Sequence, residues 1–188
     1  GSERRLREAA AAVLASRGFA ALRLAYFGHD GLPPVLSDVP LEKVEGALTL
    51  LSEHLAVAGD RVAVLGTSKG GELALLAAAS LPHLVSRVAV YSGSPVVFSG
   101  LGDAEHMGAY GRSSWSYYGV PVPFAPIPLD EDLDRRSGGA PSYLRAYERA
   151  LADREAIDAV TIPLERIDGD VLLVSGGDDQ VWPAEELA

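Results

Sequence analysis

Residues Val64–Pro82, VLGTSKGGELALLAAASLP, pass from an apolar run through a glycine-bracketed serine directly into an alanine-rich helical pattern. Few folds accept that order. The run RVAVLG (Arg61–Gly66) is short, β-branched and without polar alternation, as a strand buried on both faces is. SRVAVYSG (Ser86–Gly93) and DVLLVSGG (Asp170–Gly177) repeat the pattern. Strands of this kind alternating with helices imply right-handed crossovers and a mostly parallel, doubly wound α/β sheet.

The flanking segments fit the same scheme. LREAAAAVLASR (Leu6–Arg17) is a helix former with Gly18 placed to end it in a left-handed cap, and FAALRLAYF (Phe19–Phe27) has the aromatic and aliphatic density of a strand. PLEKVEGALTLLSEHLAV (Pro40–Val57) spaces Leu41, Val44, Leu48, Leu51 and Leu55 at helical intervals, and PSYLRAYERALADREAI (Pro141–Ile157) reads as another helix. The interval from Ser94 to about Gly139 is too long for a bare loop and is expected to be a lid or a substrate-lining insertion. The 188 residues, 48% of them hydrophobic, suit one globular domain.

Composition removes several functional classes. A net charge of −10 offers no Lys/Arg stripe for nucleic acid or an anionic membrane. The absence of cysteine excludes disulfides, thiolate metal sites and a cysteine nucleophile. The histidines lack paired ligand spacing, so no metal site and no cofactor are called for. The cytoplasm is the expected compartment, and a small molecule the expected partner.

Gly66-Thr67-Ser68-Lys69-Gly70 fits G-x-S-x-G in the context that motif requires, with a strand before and a helix after. The tight turn forces the serine backbone into strain, so the residues two before and two after are expected to be small. Ser68 then stands at the carboxyl edge of the sheet as a nucleophile, with the Lys69 backbone N–H and the helix N-terminus facing an oxyanion. The plainer alternative is two glycines making a tight turn. The Lys69 side chain is expected to face solvent, with contact to a phosphate-bearing ligand as the weaker reading.

A serine of this kind needs an acid and then a histidine downstream. LLVSGGDDQVWP ends a strand and presents Asp178 and Asp179; the spacing Gly176-x-x-Asp179-x-x-x-Pro183 favours Asp179, with a solvated turn as the alternative. The base is harder to place. His29, His54, His83 and His106 all precede Asp179 and so have the wrong chain order.

The blocks AYFGHDGLPPVLSDVPLE, VLGTSKGGELALLAAA, SSWSYYGVPVPF and IPLERIDGDVLLVSGGDDQVWPAEELA together resemble the C-terminal domain of the acyl-CoA thioester hydrolase and bile acid-CoA:amino acid N-acyltransferase family, α/β-hydrolases close to dienelactone hydrolase. The resemblance implies Ser68 as nucleophile and Asp179 as triad acid, and a serine at that position resembles the thioesterase branch. It implies cleavage of acyl-CoA through an acyl-serine, with Trp115, Tyr117 and Phe124 as the acyl-contact region unless these aromatics merely cover the sheet edge. It also implies a first strand and glycine-rich loop ahead of Leu6 and a histidine after Ala188, so the chain is expected to be a partial domain. A carboxylesterase or dienelactone-type hydrolase is the neighbouring alternative, and a non-catalytic fold fragment lacking the triad histidine the more distant one.

Overall fold

The computed structural model of the chain describes residues 10–103, 105–128, 143–179 and 181–184. Strand β1 (Val39–Pro40) leads into helix α2 (Leu41–Ser52), which follows the described part of helix α1 (residues 10–15). Then come β2 (Val62–Thr67), α3 (Lys69–Ser80), β3 (Val85–Tyr91), β4 (Trp115–Tyr117), β5 (Val120–Pro121), α4 (Leu144–Ala150), α5 (Arg154–Asp158) and β6 (Asp170–Val174). The result is a mixed α/β architecture with parallel pairing in both of its sheets.

The main sheet has the order β2-β3-β6, parallel throughout, with Val64 opposite Val88 and Val88 opposite Val171. Parallel neighbours need a crossover, and α3 supplies it between β2 and β3. Its sequence is apolar nearly all round, and ten of its twelve residues are buried. Ala74, Ala77 and Ala78 let the helix axis approach the sheet, while Leu75 and Val88 fill the layer between them. Each fully buried leucine contributes about 1.5–3 kcal/mol.

A second small sheet, β1-β4-β5, draws two of its strands from the segment that follows β3. Residues 94–101 and 113–116 meet there through an isolated antiparallel bridge, Ser99 opposite Ser113, and buried serine hydroxyls add further bonds. Ser114 donates to the Phe98 and Ser99 carbonyls at 3.0 Å each, and Ser99 accepts from the Ile127 amide at 3.1 Å. A second apolar cluster forms here around Phe98, Tyr147 and Trp182. Residues 104 and 129–139 of the predicted insertion lie outside the described residues.

Several sequence-based expectations change. FAALRLAYF forms no strand, because nothing among the described residues pairs with it; Leu24, Tyr26 and Phe27 pack on the core instead. Gly18 does take the left-handed conformation, at φ +86°. The helix predicted over Pro40–Val57 begins at Leu41, with Pro40 as its N-cap, and stops at Ser52, where turns take over. The helix predicted over Pro141–Ile157 is two helices, because Asp153 caps the second by accepting from the Ala156 amide at 3.2 Å; residues 141 and 142 lie outside the described residues. Neither edge strand is buried on both faces: Ala63, Leu65 and Thr67 of β2 are exposed, and so are all five residues of β6.

Candidate active site

β2 ends and α3 begins across a single residue, Ser68, and that residue bears the strain of the junction. Its φ of 55° and ψ of −128° lie where L residues with a Cβ rarely sit, a conformation that costs about 1–3 kcal/mol. Its amide donates to the Tyr91 carbonyl at 3.1 Å, and its own carbonyl accepts from the Gly71 and Glu72 amides at 2.8 and 3.3 Å. The backbone is therefore held from both sides. The hydroxyl makes no cap bond to the helix it precedes. The Lys69 amide, the proposed oxyanion donor, opens the first turn of α3, where no intrahelical acceptor exists.

The glycines that permit this turn are not quite those the motif names. A Cβ on Gly66 would collide with the Gly70 carbonyl group and stand 2.7 Å from the Gly71 Cα. A Cβ on Gly70 would meet nothing closer than the Tyr26 hydroxyl, at 3.5 Å. Gly71 and Gly93 carry the second constraint, since a Cβ on either would lie 2.6 Å from Val90 Cγ1. Smallness is required two residues before the serine and three after it.

The Lys69 side chain corrects the solvent-facing expectation, and with it the phosphate-contact reading. It is 5% exposed, and its ammonium lies 2.8 and 2.7 Å from the two carboxylate oxygens of the fully buried Glu72. Burial pushes the Lys69 ammonium down and the Glu72 carboxyl up, and the attraction between them opposes both shifts. Glu72 is a residue that sequence reasoning does not single out. Its signal is a charge inside a helix otherwise apolar on nearly every side, which must find a partner.

Asp179 follows β6 at the same carboxyl edge as Ser68. Its Oδ1 accepts from the Val181 and Trp182 amides at 2.9 and 3.0 Å. Burial pushes its carboxyl up, but the Trp182 and Val181 amides and the Ser92 hydroxyl outweigh it and hold the pKa below the usual aspartate value. The resulting contribution to stability is present at neutral pH and is lost as the pH falls through that lowered pKa. Ser92, also at positive φ (46°), ties the end of β3 to β6 through its amide, which donates to the Val174 carbonyl at 2.8 Å. The parallel register thus places Ser68, Ser92 and Asp179 beyond the ends of three adjacent strands.

The remaining candidates are placed differently. His54 and His83 precede β2 and β3, at the opposite edge from Ser68, and His29 is exposed in a bend. His106 is held by Asp103, whose Oδ1 lies 2.7 Å from its Nδ1. Among the described residues no histidine hydrogen-bonds the Ser68 hydroxyl. Trp115 is fully buried and its indole N–H donates to Glu72 Oε1 at 2.7 Å, so it presents no surface to a ligand and the acyl-contact expectation is corrected there. Tyr117 and Phe124 are half-buried against the main core.

Fold and site together define an α/β domain whose parallel sheet presents a strained serine between strand and helix. The model described as BAAT / Acyl-CoA thioester hydrolase C terminal matches residues 39–188, and the chain belongs to that family. Acyl-coenzyme A thioesterase 1 of Mus musculus is 32% identical over 183 residues, covering 97% of this chain and 39% of that protein. Acyl-coenzyme A thioesterase 6 of Homo sapiens is 31% identical over 191 residues, covering 100% and 41%. Acyl-coenzyme A thioesterase 2, mitochondrial, of Mus musculus is 32% identical over 183 residues, covering 97% and 36%. The chain spans about two fifths of the length of these relatives. Among the described residues no helix is long and apolar enough to cross a membrane.

Proposed function

We propose that the chain is an α/β-hydrolase domain contributing the nucleophile and the acid of a serine acyl-CoA thioesterase. The observation that carries this reading is the backbone of Ser68, held at φ 55° between β2 and α3 with its hydroxyl left out of the helix cap. The thioesterase names of its relatives supply the substrate class.

In the proposed reaction the Ser68 oxygen attacks the thioester carbonyl, forming a C–O bond while its proton passes to an imidazole oriented by Asp179. The oxyanion is met by the Lys69 N–H. The C–S bond then breaks, the thiolate of CoA takes the proton, and water repeats the sequence to release the acid. Tyr117 and Phe124 are the proposed acyl contacts.

The test is thiol release from short, medium and long acyl-CoA, with matched oxygen esters, by the protein as encoded. Turnover of the oxygen esters with indifference to CoA would favour the carboxylesterase reading. The second reading is a non-catalytic module, and turnover dependent on Ser68 would dismiss it. Asp179→Asn is expected to lower kcat by about 10²- to 10⁴-fold through loss of imidazole orientation, with the melting temperature measured alongside.

A further inference from the structure

The buried Lys69–Glu72 pair has no task in the reaction as written. Its bonds nonetheless converge on the turn that carries Ser68. Besides Glu72, the Lys69 ammonium donates to the Phe98 carbonyl at 3.2 Å and lies 5.8 Å from the centre of the Trp115 ring. Glu72 Oε1 accepts from the Trp115 indole at 2.7 Å and from the Phe98 amide at 3.4 Å. Apolar residues of similar volume would fill this space without the desolvation cost of two ions. What they would lack is direction, because each charge-assisted bond fixes the helix turn against one particular atom.

The main chain of the same turn is part of the proposed site. Lys69 supplies the oxyanion N–H, and the Glu72 amide donates to the Ser68 carbonyl. Phe98 and Trp115 belong to the segment after β3, which Ser114 braces further through its bonds to the Phe98 and Ser99 carbonyls. We propose that Lys69 and Glu72 are positioning residues: their ion pair locks the first turn of α3, and with it the oxyanion amide, to the Phe98–Trp115 layer. This inference rests on the reading of Ser68 as the nucleophile.

The test variant is Lys69→Met/Glu72→Gln, which removes both charges, leaves no buried ion unpaired and keeps an acceptor for Trp115. Hydrogen exchange at the Gly71 and Glu72 amides is expected to quicken by about ten-fold or more while Val88 and Val90 are unchanged. In thiol release, kcat is expected to fall by about ten-fold or more with KM within about two-fold. Unchanged exchange, or a kcat within about two-fold of wild type, overturns the proposal. If the double variant does not fold, Trp115→Phe keeps the ion pair but removes one of its bonds, and an unaltered kcat there is equally adverse. A wild type no faster than Ser68→Ala fails the hydrolytic reading itself and takes this proposal with it. That outcome is visible before any variant of the pair is compared.

Discussion

Ser68→Ala is expected to lower acyl-CoA thiol release by at least about 10³-fold while the fold is retained. The two halves of that result have separate causes. Loss of the hydroxyl removes the atom that becomes acylated, so no adjustment of its neighbours restores the covalent route. The fold survives because alanine and serine are similarly strained at φ 55°, and because the hydroxyl makes no bond to the helix cap. Kinetics and a thermal melt on the same preparation check both. A variant with full activity would remove Ser68 from the nucleophile role.

Gly66→Ala is expected to have the largest effect on stability, a loss of about 4 kcal/mol or more. The new methyl group would run into the Gly70 carbonyl and the Gly71 Cα, which are backbone atoms and cannot rotate away. Gly70→Ala is the informative contrast. Its Cβ has room, and alanine in the first turn of a helix is favoured over glycine, so the change is expected to lie between neutral and a gain of about 1 kcal/mol. Chemical denaturation of the two variants reads the difference directly. Equal losses would mean that the turn is packed otherwise than described.

The three strands of the main sheet and helix α3 are legible in the sequence because each is a short, uniform run bounded by glycine or a charged residue. The position of Ser68 is legible for the same reason: strand, turn and helix abut within a few residues. Partnerships over long sequence distance are not. The i,i+3 spacing of Lys69 and Glu72 is plain in the sequence, but Glu72 is met by Phe98 and Trp115, 26 and 43 residues away. For the same reason Trp115 reads as an acyl contact when its indole is committed to Glu72. The demand for glycine at positions 71 and 93 escapes a local motif because what imposes it on Gly71 is the Val90 side chain of another strand. Phe19–Phe27 has the composition of a strand, but composition does not supply a hydrogen-bonding neighbour.

The exposed edge of the main sheet bears on how this 188-residue chain behaves in concentrated solution. β6 leaves Val171, Leu172, Leu173 and Val174 each at least 39% exposed, beside a strand edge that pairs with nothing among the described residues. Such an edge is a template for another chain. Two copies share a charge of −10, and the repulsion between them acts at long range only in dilute electrolyte. Raising the salt from about 0.01 M to about 1 M shortens its reach from roughly 30 Å to roughly 3 Å. Light scattering of this chain is therefore expected to rise with ionic strength at fixed pH and concentration.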